Sequence, residues 1–327
     1  MKVALILICL VITGCYDKDV KLTEEQLTNT IAFAAYPHHT GITTPEFYNE
    51  IYIVKAEPGS QPIRLTHNSQ EEERPAWVND GKSLVFKRCI GRLGSHREKW
   101  YLYKMELTTS RCRRLLQTDW GTEIQGKMNL YVLVPFPEPT LYVYDNATDT
   151  IRGLFTAEDL GLAVPGWSGA MTKFSIDSRE NRIALTIAEG RRLVGRKSAH
   201  DEFKCYELAV VNRNGTDFQI LTNDTISDFW PTISPDGEFI AFTSERDGYD
   251  DIFIMEIASR KIRRLTDPPM HGYCPTWSPD GKKIAFISDR DGFAHIWVIN
   301  ADGTGLFQLT KGDFHVHWTG ISWSPRQ

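Results

Sequence analysis

The chain has 327 residues, 41% of them hydrophobic, with 37 basic and 42 acidic side chains and a formal net charge of −5. Such a composition excludes a disordered or fibrous chain, and mild negative charge spread along the sequence argues against nucleic acid as a general partner. The six cysteines show neither zinc-finger spacing nor the density of a disulfide scaffold.

The chain opens with Met1-Lys2, an apolar run from Val3 to Ile12, and the small residues Thr13-Gly14 before Cys15. A charged start followed by a short apolar run reads as an export leader, too short to span a bilayer as a stable helix. The pattern resembles a bacterial lipoprotein signal. That resemblance implies removal of residues 1–14, lipidation of the Cys15 thiol and a place in the cell envelope. Several acyl chains at about 0.8 kcal/mol per buried methylene would hold the protein almost permanently. Tyr16 stands where an Asp would suggest inner-membrane retention in enteric bacteria, so the outer membrane, facing the periplasm, is favoured. Residues 15–29 are polar, lack a strand pattern, and are expected to form a flexible tether.

From residue 30 onward the pattern is one of short strands. Ile31-Ala-Phe33, Ile51 to Val54 and Arg64-Leu-Thr66 predict three strands of a group that lacks its first member. Pro75-Ala-Trp77, Leu84-Val-Phe86 and Trp100 to Met105 predict a second group, ending near Leu115-Leu116. Leu130 to Val134 with Leu141 to Tyr144 form a degenerate third. Phe174-Ser-Ile176, Ile183-Ala-Leu185, Tyr206 to Val211 and Leu221-Thr222 form a fourth. The next two groups are near copies. Pro231-Thr-Ile-Ser-Pro-Asp-Gly237, Ile240-Ala-Phe242, Ser244-Glu-Arg-Asp-Gly248 and Leu265-Thr266 recur as Pro275-Thr-Trp-Ser-Pro-Asp-Gly281, Ile284-Ala-Phe286, Ser288-Asp-Arg-Asp-Gly292 and Leu309-Thr310, every anchor displaced by 44 positions.

A period of about 40–45 residues, made of apolar runs and tight-turn signals, is that of a four-stranded propeller blade. Pro-Asp-Gly supplies a tight reversal, with Asp tolerating a left-handed backbone and Gly a positive φ. Ile321-Ser-Trp-Ser-Pro325 matches the start of a further repeat. It is expected to supply the missing strand of the first group, so that the ring closes and no sheet edge stays open there. The expected fold class is therefore all-β: a six-bladed β-propeller of four-stranded antiparallel blades over residues 30–327.

These repeats, Ile-Ser-Pro-Asp-Gly and Trp-Ser-Pro-Asp-Gly followed by Ile-Ala-Phe and Ser-x-Arg-Asp-Gly, resemble the WD-type repeats of the TolB family, specifically in about the last hundred residues. The resemblance implies a TolB-like propeller. TolB proteins carry an α/β domain before the propeller, whereas only the tether precedes the first blade here, so the TolB role itself is not implied. Similar repeats gate prolyl oligopeptidases, which need a hydrolase domain; Gly166-Trp-Ser168-Gly169 lacks the spacing of a nucleophile elbow.

Aligning the inner strands on Trp277 and Trp323 superposes His271 on His317, with His315 two positions earlier. Equivalent loops of a propeller converge on one channel mouth, where three imidazoles suit a divalent transition metal. The His-x-His pair also resembles the metal site of oligogalacturonate lyases. That implies an alternative, a metal-dependent carbohydrate-active enzyme with His271, His315 and His317 as ligands. The leading expectation is a non-catalytic, monomeric, cofactor-free envelope module. It would bind a protein, peptide or glycan with Trp230, Trp318, His271 and His317. Trp277 and Trp323, inside the repeat, are expected in the core. Asp247, Asp250 and Asp251 read as an exposed acidic turn more than a calcium site. Arg111 to Arg114, and Arg191, Arg192, Arg196 and Lys197, read as solvated loop faces. Cys89, Cys112, Cys205 and Cys274 are expected as buried thiols rather than disulfides.

Overall fold

The computed structural model describes residues 21–37, 48–78, 81–91, 98–109, 111–118, 122–126, 129–134, 139–145, 148, 150–162, 171–188, 206–267 and 271–325. The leader, Cys15, Ser168, the cluster from Arg191 to Lys197, and Cys205 lie outside these residues. The described strands form six antiparallel sheets of four strands each, arranged as the blades of a propeller. The innermost strands are Phe314–Trp323 in blade one, Glu72–Trp77 in two, Glu123–Gly126 in three, Met171–Ile176 in four, Asp228–Ile233 in five and Gly272–Trp277 in six. No helix among the described residues is long and apolar enough to cross a membrane.

Each anchor of the repeat has a visible job. Gly237 and Gly281 hold φ at +80° and +70°, which a residue without Cβ adopts freely. The aspartate of the same turn is not left-handed. Its carboxylate accepts instead: Asp280 Oδ1 takes the Ser278 hydroxyl at 2.7 Å and the Lys282 N–H at 3.0 Å. The Thr of Leu-Thr works on the third strand of its blade. Thr66, Thr222 and Thr310 each accept a backbone N–H at 2.9 Å, from Ile51, Leu208 and Ile296, and Thr266 accepts that of Ile252 at 3.2 Å. The repeat arginine ties the blade's strands together. Arg246 makes bonds of 2.8 and 2.9 Å to the buried Asp228 carboxylate and lies 5.3 Å over Phe253; Arg290 lies 5.3 Å over Trp297.

The core is divided into six clusters, one between each pair of adjacent blades. Ile-Ala-Phe feeds two of them at once, because strand side chains alternate. Ile284 and Phe286 pack toward blade five, and Ala285 toward blade one. Indoles stitch the blades where the inner strands meet: Trp277 Nε1 donates to the Thr232 carbonyl at 3.0 Å and Trp77 Nε1 to that of Ser322 at 3.1 Å. Trp277→Phe keeps the ring in the cluster but removes this hydrogen bond between blades, so a stability loss of about 1 kcal/mol is expected in urea unfolding.

The C-terminal strand closes the circle as expected. Phe314–Trp323 pairs antiparallel with Thr30–Pro37, Ile31 opposite Trp323. Trp323 Nε1 donates to Asn29 Oδ1 at 3.1 Å, locking the seam. Three expectations change. Blade three is complete, with Glu123–Gly126 and Thr150–Thr156 flanking the two strands the apolar pattern shows. Arg111, Arg113 and Arg114 are exposed on an outer strand, Arg111–Thr118, not on a loop. From residue 21 the stretch read as tether is docked, because Leu22 and Leu27 are buried and Thr23 caps the short helix Glu24–Leu27. Cys89, Cys112 and Cys274 are thiols.

Candidate functional site: the channel mouth

The inner strands all begin on one face, here called the mouth, and end on the other, in blades five and six at the Ser-Pro-Asp-Gly turns. In blades two, five and six the strand is bulged just before a proline. Arg74, Trp230 and Cys274 hold φ of +55°, +52° and +50° there, and the pairing register jumps at each. Left-handed non-glycine residues are costly and persist only where the surroundings impose them. The repeated kink sets one left-handed residue in the inner strand of each of these three blades.

Arg74 is the centre of a chain of alternating charges across three blades. Lys87 Nζ lies 2.8 Å from Glu73, Arg74 lies 3.4 Å from Glu73 and also pairs with Glu123, and Lys173 pairs with Glu123. Lys87 is fully buried and stacks 4.7 Å over Trp100. Burial pushes the Glu73 carboxyl up, but Lys87 and Arg74 outweigh it and hold the carboxyl below its usual range. Burial raises the Cys274 thiol to about 12, so it is inert; it donates to the Trp318 carbonyl at 3.1 Å.

The histidines are deployed differently from their sequence alignment. Pairing with the second strand puts Gly272 opposite Ser288 and Val316 opposite Ala35, and between bulge and tryptophan blade one carries two extra residues. His315, not His317, is therefore the counterpart of His271. His315 stacks on Tyr36 at 5.3 Å, His271 meets the edge of Tyr249 at 5.4 Å, and His317 Nδ1 bonds the Thr319 hydroxyl at 2.9 Å. Among the described residues, the acidic or imidazole groups whose ligand atoms come within 4.8 Å of one another are Glu207, Asp224 and Asp228, not these histidines. Arg246 already pairs with two of those carboxylates, Asp224 and Asp228. Asp247 and Asp251 of the acidic turn are both paired with Arg264.

Burial lowers His317 to about 4, against Glu73 and with help from Arg74 and His315. The unfolded state, protonating near 6.5, takes up the proton first as pH falls. The stability linked to this residue is thus complete above pH 6.5 and lost on acidification toward pH 4, at no more than about 1.4 kcal/mol per pH unit. His317→Gln should flatten that limb of the stability profile, read by denaturant midpoints across the window.

The aromatic residues complete the mouth. Trp318 is 56% exposed and Tyr249 51%. Trp230 is half-buried in a run of edge contacts, 4.8 Å from Phe229 and 6.0 Å from Tyr273. The structure thus places Trp318 and Trp230 on one face with His271 and His317. Sequence reasoning missed Glu73, Arg74, Lys87, Glu123 and Lys173. The signal was Lys87-Arg88 inside an otherwise apolar strand, opposite the run Glu71-Glu72-Glu73-Arg74.

Residues 204–327 match the family profile described as TolB beta propeller domain. No curated protein matches the chain in sequence. Among solved structures, TolB from Acinetobacter baumannii aligns at 17% identity and a TM-score of 0.67, over 92% of this chain and 68% of that one. A TolB-type chain from Agrobacterium tumefaciens aligns at 18% identity and 0.56, over 80% and 94%. The tricorn protease aligns at 16% identity and 0.59, over 86% and 26%. At such identities the likeness is one of fold. The chain is a TolB-like six-bladed β-propeller, with the family's repeat signature carried by residues 204–327.

Proposed function

We propose that the chain is a lipid-anchored module of the cell envelope that binds a protein, peptide or glycan partner on the mouth face, without catalysis. The observation that carries this reading is Trp318, a large apolar side chain 56% exposed above a rigid, closed ring. Aromatic residues standing free at a concave face are the usual anchors of recognition. The mouth's charges point the same way, since Arg74, Lys87 and Lys173 pair with Glu73 and Glu123 instead of standing ready for a substrate. Anchoring rests on the leader and Cys15. Cys15→Ser should release the full-length protein from the membrane fraction. Trp318→Ala should reduce its envelope complex, followed on native gels, about tenfold or more. A complex indifferent to Trp318→Ala would remove the mouth from the account.

A further inference from the structure

On the opposite side lies a cavity of about 290 Å³, lined in part by Pro235, Ser278 and Pro279 of the Ser-Pro-Asp-Gly turns. Gln125, Ser175, Thr232, Thr276 and Ser322 line it, one from the inner strand of each blade but the second. Two of these hydroxyls are half-used. Ser175 Oγ accepts the Ile233 N–H at 2.9 Å and Ser322 Oγ the Trp77 N–H at 3.3 Å, and each keeps its O–H to donate. The Thr232 and Thr276 hydroxyls and the Gln125 amide make no side-chain hydrogen bond to the described residues. Among the described residues the remaining lining is proline, tryptophan, isoleucine, glycine and serine, none of them ionisable.

We infer that this chamber binds an uncharged polyhydroxyl group, a single neutral sugar unit or the end of a neutral glycan. Rotatable hydroxyls both donate and accept, so a circle of them at one level matches a ring-shaped ligand with hydroxyls around its edge. Peptide groups, with fixed donors and acceptors in a line, match it poorly. The proline and tryptophan surfaces, among them Pro235 and Pro279, offer apolar contact to the carbon–hydrogen faces of such a ring. A carboxylate or ammonium would lose its hydration with no countercharge among the described lining residues to replace it. The volume is at the lower end of small-molecule sites, room for one unit. The site is separate from the mouth and does not rest on the reading given for it.

Saturation-transfer NMR on the full-length protein tests this, with glucose and N-acetylglucosamine as probes and glucuronate, glucosamine and a neutral blocked dipeptide as controls. Both neutral sugars should receive transfer at about millimolar affinity, and the charged analogues and dipeptide about tenfold less or none. Thr232→Val and Thr276→Val preserve shape, so they should leave the melting temperature unchanged while weakening binding about fivefold each. Trp318→Ala should leave sugar binding intact. No transfer to either neutral sugar at about 10 mM would overturn the inference. Equal transfer to the controls, or binding untouched by both valine variants, would overturn it as well.

Discussion

Glu73→Ala is expected to cost about 3–5 kcal/mol of folding stability, enough to leave much of the protein unfolded at ordinary temperatures. Glu73 is 4% exposed and is the carboxylate that faces both Lys87 and Arg74. Removing it takes the 2.8 Å carboxylate from the buried Lys87 and leaves Arg74 with Glu123 as its carboxylate, and the penalty is the desolvation that these charges then offset less well. Their mutual attraction adds little to stability when it is intact. A buried ion pair exchanged for apolar residues of similar volume is often neutral, so Glu73→Leu combined with Lys87→Met should recover much of the loss. Guanidinium titration of the single and double variants reads both numbers. A single variant within about 1 kcal/mol of the parent would show that water reaches the network and screens it.

Gly126→Ala should be at least as damaging, by about 3 kcal/mol or more, for a reason of space alone. A Cβ at residue 126 would lie 1.8 Å from the Trp77 carbonyl oxygen and 2.7 Å from its carbon. Backbone cannot swing aside as a side-chain tip can. Either blade three moves off blade two, opening the cluster that joins Val85, Leu102 and Val132, or the inner strand of blade three detaches. The contact exists because blade three has glycine where blades six and one have Trp277 and Trp323. Loss of soluble protein, or a large fall in denaturant midpoint, is the expected result; a parent-like midpoint would mean that the two inner strands stand farther apart.

The ease of reading the chain tracked how local each cause was. Turns, the Leu-Thr end and the Ile-Ala-Phe strands of blades five and six are built from contacts within one repeat, so their residues recur at a fixed spacing. Blade three was half hidden because its inner strand, Glu123–Gly126, is held by neighbours rather than by an apolar pattern of its own. The register of the histidines was hidden for a related reason. An alignment anchored on Trp277 and Trp323 cannot see that blade one inserts two residues into its bulge, which moves His315 into the place of His271. The charge network was legible only as an oddity. Its members are scattered from Glu73 to Lys173, and only the packing of blades two, three and four side by side brings them together. Exposure was equally out of reach, since Trp318 and Trp323 share a strand while one is 56% and the other 7% exposed.

The most direct test of the mouth as a binding surface is site-specific photocrosslinking of the full-length protein in intact cells. A crosslinking residue would replace Trp318 or Tyr249 on the mouth, and Leu306 or Ile220 away from it, all four being exposed. A discrete adduct from the two mouth positions and none from the other two is the predicted result. Adducts only from Leu306 or Ile220, or none from any position while the protein remains folded, would contradict it.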